Sequence, residues 1–405
     1  MIKKTIFQFF DLFSNTSYSD SNKKKRVYVI GNGWSSYYFV KNLDKNKYEP
    51  IIISPNEKVL NTPKLIEYIV EDLDKNKNKK KVQIEFSNPY AKIIQDKLTH
   101  IDTHTKTIIT ESGNKYDYTH LVLAIGSESN DFGIEGVESY TYKLKTLNDA
   151  NILKKRLSNL EVFTRIYIVG GGVSGIELSC WLSNQIQKYG SHPDIKIIEG
   201  CKSILQSYSA KTRSDIEKLL FCKYSTQIEL FTDSMLKLIN KTNIKYQKHN
   251  RIQNFPFSYI PKSNISSDLI IWTGGIRISG YKKTSLYEEL EKISQTNSLK
   301  IGPRGLETNN DFSVIKNEIY SIGDMVSNKG PPTAQNAKFQ GIWLAKYFNS
   351  NFEPKYIESN PYNYESYELG KLLHLDSELY LESKYYSGFI PKFLIYFIDW
   401  ITQNK

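Results

Sequence analysis

The chain has 405 residues, 40% apolar and 24% charged, which gives a globular protein of two or three domains and excludes disorder, collagen and a disulfide-stapled miniprotein. Its 54 Lys and Arg against 43 Asp and Glu leave a net charge of +11, an excess that suits anionic partners (lipid surface, nucleotide phosphate or nucleic acid) without choosing among them. Three cysteines, Cys180, Cys201 and Cys222, in no CxxC or CxxxxC spacing, exclude a redox disulfide between near neighbours and a four-cysteine zinc or iron–sulfur site.

The opening MIKKTIFQFFDLF, followed by KKKR, reads as a short interfacial anchor, an organelle-targeting peptide or a solvated tail. Asp11 and the want of a small-residue cleavage site argue against a secretory signal. From Val27 the pattern alternates apolar strands with helical stretches, the mark of βαβ units and parallel sheets. RVYVIGNGWSSYYFVKNL runs a strand (Val27–Ile30) into Gly31-Asn32-Gly33 and then into a helix. Gly31 permits the tight turn, Gly33 lets backbone amides approach a pyrophosphate, and Ser36 is small enough for helix and strand to pack closely. The next strand, EPIIIS, ends in Ser54 where an acidic residue usually holds an adenine ribose.

His100 and His104 stand in THIDTHTKTIIT, which is β-prone and has no second cluster, so no metal site is expected. HLVLAIGS places a small-residue turn, Ala124-Ile125-Gly126, after a strand. RIYIVGGGVSGIELSCWLS then repeats the first motif with Gly170, Gly172 and Gly175, and the following strand IKIIE ends at Glu199. A carboxylate there accepts hydrogen bonds from a ribose diol and repels a 2′-phosphate, which favours NADH over NADPH. Residues 223–264 read as antiparallel or crossover material. DLIIWTGG repeats the turn device, and IYSIGDM ends at Gly323-Asp324, whose carboxylate suits a flavin ribityl hydroxyl. His374, in GKLLHLD, reads as a surface helix residue. From Pro391 apolar residues recur at helical spacing, which predicts a terminal helix lying either in a membrane interface or on protein. Two fingerprints roughly 140 residues apart predict two dinucleotides, one a held flavin and one an exchanging nicotinamide.

This order resembles the two-dinucleotide-binding flavoprotein family of pyridine nucleotide oxidoreductases, and within it the type II (alternative, non-proton-pumping) NADH dehydrogenases. The likeness rests on GNGWSSYYFVKNLD with IIISPNEKVLNTP, on YDYTHLVLAIGSESNDFGIEGV, and on GDMVSNKGPPTAQNAKFQGIWLA. It implies an α/β fold of two Rossmann-like domains, the FAD domain interrupted by an inserted NADH domain. The expected divisions are a tail at 1–25, FAD domain at 26–145 and 273–348, NADH domain at 146–272, and a membrane-surface or dimerisation region at 349–405.

By the same likeness FAD falls on Gly31, Gly33, Trp34, Ser36, Ser54, Thr62, Pro63, Ala124, Gly126, Gly323, Asp324 and Ala334, and NADH on Gly170, Gly172, Gly175, Glu199 and Gly274. Glu177 is either beside the stacked nicotinamide and isoalloxazine rings or a surface or ribose-facing carboxylate. The family's quinone pattern Ala-Gln-x-Ala-x-Gln is matched at Ala334, Gln335 and Ala337, with Phe339 at the second Gln and Gln340 one residue late. Backbone amides near Pro332–Ala337, opening a helix, would face the reduced flavin's pyrimidine end.

The expected function is hydride transfer from NADH to FAD and two-electron transfer to a membrane quinone, on an anionic lipid surface, with a homodimer as one arrangement and no nucleic acid. The expected place is peripheral, at the mitochondrial inner membrane or else the cytoplasm. The alternatives are a soluble NADH-dependent reductase with a protein or small-molecule acceptor, and an NADH-sensing flavoprotein like apoptosis-inducing factor.

Overall fold

β1 (Lys25–Ile30) is buried over its last four residues. Val27 and Val29 enter one core with Phe39, Val122, Leu344 and Phe348, while Tyr28 and Ile30 enter another with Ile53, Leu121, Leu286 and Leu290. Successive side chains of a strand point to opposite faces, so a strand covered on both sides must be apolar throughout rather than alternating. The computed structural model describes residues 24–73, 81–158, 165–189, 194–224, 227–256 and 268–352, together with the strands at 372–375, 378–381 and 384–387.

After β1 come α1 (Trp34–Asn42), β2 (Tyr48–Ser54) and β3 (Lys92–Gln95). An antiparallel trio follows, β4 (Leu98–Asp102), β5 (Thr107–Thr110) and β6 (Lys115–Asp117), and then β7 (His120–Leu123). The chain leaves this sheet through β8 (Ser127–Ser129) and enters a second one with β9 (Tyr142–Lys143), α2 (Leu147–Leu157) and β10 (Arg165–Val169). α3 (Val173–Tyr189), β11 (Asp194–Ile198), α4 (Ala210–Tyr224) and β12 (Ile228–Phe231) continue it. A separate antiparallel sheet, β13 (Met235–Ile239), β14 (Asn243–Lys248) and β15 (Arg251–Pro256), covers one face, and β16 (Asp268–Trp272) returns to the second sheet.

β17 (Ile276–Ile278) runs back antiparallel to β8, pairing Ser127 with Ile278 and Ser129 with Ile276. α5 (Ser285–Thr296), β18 (Ser313–Ile315), β19 (Ile319–Ser321) and α6 (Ala334–Asn349) complete the first sheet, whose order is β18-β19-β7-β1-β2-β3. The second sheet runs β9-β16-β10-β11-β12 and is wholly parallel. β10 divides its residues as β1 does: Ile166 and Ile168 face one core, Tyr167 and Val169 the core under β13–β15. At the foot of this sheet Arg165 grips the buried Asp268 through two contacts of 2.9 Å.

The antiparallel reading of 223–264 holds for β13–β15, while the preceding β12 joins the parallel sheet beside β11. One expectation is corrected: His374 lies in strand β20 (Leu372–Leu375), paired with β21 (Glu378–Leu381) and followed by β22 (Lys384–Ser387), so its segment is extended and not helical. Leu-Leu-His-Leu has no helical stop or start signal, and cross-strand pairing decided what local propensity left open. The terminal stripe from Pro391 and the N-terminal apolar cluster lie outside the described residues. Among the described residues no helix is long and apolar enough to cross a membrane.

Candidate functional site

A cavity of about 1020 Å³ opens at the carboxyl ends of β1, β2 and β7, just above the roughly 300–1,000 Å³ usual for small-molecule and cofactor sites. Parallel sheets place ligands there because the strand ends and helix N-termini leave a crevice of unpaired backbone amides. Gly31 makes the floor. Its φ is +104°, and a Cβ would stand 2.3 Å from the Ala124 carbonyl oxygen, so any side chain would push β1 off β7. Its amide donates to Ile53 O at 2.8 Å and fixes the turn against β2.

Of the residues expected around FAD, Gly31, Gly33, Trp34, Ser54, Thr62, Ala124, Gly126, Asp324 and Ala334 meet around this one cavity. Three do not line it. Ser36 is fully buried within α1, where its size serves helix packing. Pro63 is exposed in the 3-10 turn Thr62–Lys64, so its ring closes a turn and does not touch the cavity. Gly323 stands behind the wall, its amide donating to Gln340 Oε1 at 2.6 Å.

That contact engages Gln340, which was expected at the quinone edge. The side chain is 1% exposed, and its Nε2 donates to Lys329 O at 3.3 Å, so it ties α6 to the Gly323–Asp324 turn. Gln335 and Phe339, four residues apart and therefore on one face of α6, are half-buried. Ala334 and Ala337 face the cavity, and Thr333 caps the helix by accepting from Asn336 N at 3.2 Å. The positive end of a 16-residue helix thus borders the cavity.

Ser54, on the cavity wall, is 2% exposed, and its Oγ accepts from Asn56 N at 3.1 Å, turning the chain after β2. Sequence reasoning passed over Asn32, which clamps that same loop by donating to Glu57 O at 2.9 Å and accepting from Asn88 Nδ2 at 3.1 Å. It also passed over Lys145, whose Nζ reaches Asp324 Oδ2 at 3.1 Å while Ser127 Oγ donates to the same oxygen at 3.0 Å. Both are polar residues at loop positions, and only the unexplained Lys before the Thr146–Asp149 capping box of α2 could have drawn notice.

The second fingerprint repeats the construction. Gly170 has φ +113°, its amide donates to Ile198 O at 2.8 Å, and a Cβ would lie 2.8 Å from the Thr273 backbone. Glu199, at the end of β11, accepts from Gly171 N at 2.6 Å and from Cys201 N at 2.7 Å. Each carboxylate oxygen keeps a second acceptor direction. Gly172 is exposed at the helix mouth, Gly175 is buried in the first turn of α3, Glu177 is half-buried one turn into that helix, and Gly274 follows β16.

Elsewhere, His100 in β4 pairs with Glu289 of α5, and no group that could hold a metal occurs among the described residues. Cys180 is buried and Cys201 and Cys222 are exposed, and no disulfide joins any of them among the described residues.

Residues 25–341 match the pyridine nucleotide-disulphide oxidoreductase model. A probable NADH dehydrogenase of Dictyostelium discoideum is 28% identical over 364 residues, 81% of this chain and 74% of that protein. A probable mitochondrial NADH-ubiquinone oxidoreductase of Schizosaccharomyces pombe is 26% identical over 82% of this chain and 63% of its own length. In fold the chain is similar to NDH2 from Plasmodium falciparum in complex with NADH, with TM-score 0.72 and 19% identity, covering 94% of this chain and 95% of that one.

Proposed function

Because the chain belongs to the pyridine nucleotide-disulphide oxidoreductase family, we propose that it oxidises NADH with a bound FAD and passes two electrons to a membrane quinone, without pumping protons. The observation that carries this reading is the duplicated glycine turn, each packed on the turn that follows a neighbouring parallel strand, one of them at the floor of a cavity of about 1020 Å³. The relatives' names supply the acceptor class: they are NADH dehydrogenases and NADH-ubiquinone oxidoreductases.

The chain's own groups suit FAD. Trp34 Nε1 is a buried donor with no partner among the described residues, in a side chain that lines the cavity. When bound, FAD supplies the ability to accept a hydride and release electrons singly or in pairs. Asp324 would hold a ribityl hydroxyl, with Lys145 and Ser127 fixing its carboxylate. The N-terminus of α6 would lay partial positive charge against the pyrimidine end. At the second turn Gly170, Gly172 and Gly175 would admit the NADH pyrophosphate, Gly274 its nicotinamide half, and Glu199 its adenosine ribose. Glu177 would lie beside the stacked rings. No cysteine pair stands near either turn, so electrons leave by an acceptor outside the chain.

Gln335 and Phe339 are our assignment for the quinone edge, the ring stacking on the head group where the family has an amide. The net charge of +11 supports an anionic membrane surface, and the S. pombe relative's mitochondrial description supports a place in the mitochondrion, where we assign the inner membrane. A homodimer through the C-terminal region belongs to the same reading. A second reading, a soluble reductase with another acceptor, draws on the inward turn of Gln340.

Anaerobic stopped-flow on the flavin-loaded protein tests this. Bleaching by NADH and recovery with a short-chain ubiquinone is the expected result. Bleaching without recovery favours the second reading, and slow bleaching with a lasting charge-transfer band favours an NADH sensor.

A further inference from the structure

The segment between β8 and the second sheet holds an aromatic ring in solvent on a backbone that resists it. Phe132 has φ +52°, a left-handed conformation that a bulky L-residue adopts only under constraint, and it is 61% exposed. Burial of the ring therefore does not explain the strain. The constraint is visible. Phe132 N donates to Asn130 Oδ1 at 2.9 Å and Gly133 N to Asp131 Oδ1 at 3.0 Å. Arg277, itself only 8% exposed, donates to the same Asp131 oxygen at 2.9 Å and to Glu128 at 2.8 Å.

Asn130 is locked to the second sheet, its amide donating to Gly275 O at 3.0 Å and its carbonyl accepting from Trp272 Nε1 at 2.9 Å. The ring is thereby laid over the turn after β16. A Cβ on Gly275 would stand 3.3 Å from Phe132 Cζ, and the ring centroid lies 6.5 Å from that of Trp272. Thr273, which follows Trp272 and stands two residues before Gly275, is the one against which Gly170 is packed. Phe132 is thus presented, by a buried arginine and two side-chain-closed turns, at the carboxyl edge of the strands where a dinucleotide crosses a parallel sheet.

We propose that Phe132 is a substrate-contacting residue, its ring forming the outer wall of the path for the nicotinamide-ribose half of NADH above Gly274 and Gly275. This rests on the reading that the second glycine turn binds NADH. Strain kept at an exposed ring fits a contact selected for binding rather than for folding.

The test is equilibrium titration of NADH without quinone, followed by energy transfer from tryptophan to the dihydronicotinamide, with thermal midpoints in parallel, on the parent, Phe132→Gly, Phe132→Ala and Phe132→Tyr. We expect Kd to rise at least tenfold in Phe132→Gly and Phe132→Ala and to stay near the parent in Phe132→Tyr. The midpoint of Phe132→Gly should equal or exceed the parent's, because glycine relieves the left-handed strain. An unchanged Kd in all three variants overturns the assignment, as does a weakened Kd that tracks a falling midpoint, which marks a packing role. A change of oligomeric state with unchanged Kd overturns it in favour of a protein contact. A parent that binds no NADH overturns the underlying reading and this one together.

Discussion

Asp324 and Lys145 are 179 residues apart in the chain, and their side chains meet at 3.1 Å on the wall of the cavity, each about one-fifth exposed. Asp324 follows the last parallel strand of the first sheet, and Lys145 stands at the entry to the second. One ion pair therefore ties the turn after the first sheet's β19 to the segment that follows β9 of the second sheet.

Replacing Lys145 with Met should leave Asp324 oriented by Ser127 alone. A partly exposed pair contributes only about 1 kcal/mol, so the fold should survive while flavin affinity falls about tenfold. The flavin-to-protein absorbance ratio after gel filtration measures this, and an unchanged ratio would place Lys145 outside the flavin's reach.

The two glycine turns should fail separately. Gly31→Ala sets a Cβ 2.3 Å from the Ala124 carbonyl and should yield protein without flavin. Gly170→Ala sets one 2.8 Å from Thr273 and should yield yellow protein that NADH does not bleach. The same defect in both variants would refute the division of labour between the turns.

Gln340→Leu removes the acceptor of Gly323 N and the donor to Lys329 O in a position that is 1% exposed. Lys329 O keeps its bond from Asn336 Nδ2 at 2.9 Å, so one buried amide, Gly323 N, is left unpaired at about 1–3 kcal/mol, and the thermal midpoint and flavin retention should drop. KM for quinone in the flavin-loaded fraction should not change. A raised quinone KM at unchanged midpoint would restore Gln340 to the acceptor site.

His120 sits among Tyr48, Phe348 and Phe352, with Nδ1–H donating to Asn317 O at 3.1 Å. Burial, helped by nearby Lys25, pushes its pKa down to about 4. The unfolded chain titrates near 6.5. Because the folded value is the lower, the neutral ring's contribution is complete above about pH 6.5 and is lost as pH falls towards 4, by about 3 kcal/mol in all. Urea unfolding of the parent should weaken across that window, and His120→Phe should flatten the profile. Parallel profiles would assign the acid sensitivity elsewhere.

The strands at 27–30, 120–123, 165–169, 194–198 and 268–272 could be read in the sequence because a strand buried on both faces is a continuous apolar run, and its turn into a helix demands glycine. The glycines were legible for the same reason: backbone meets backbone there, and only one residue type fits. Lys145, Arg277 and Gln340 were not, since each acts through a partner that no local pattern announces. Arg277 pairs with Glu128 across 149 positions. Gln340 differs from Gln335 only in which side of α6 it occupies, and helical phase to that accuracy needed the packing of α6 on α1. His374 failed for a further reason, since a four-residue apolar run fits helix and strand alike.

β19 lies beside β7, with Ile319 opposite Leu121, although the whole second sheet is strung between them. During synthesis both glycine turns emerge long before Asp324 and the opening of α6. A ribosome-bound chain that stops short of those residues owns the floor of the cavity and lacks a wall. Tight holding of flavin should therefore wait for Asp324 and the opening of α6, and yellow colour would mark molecules whose last wall has closed.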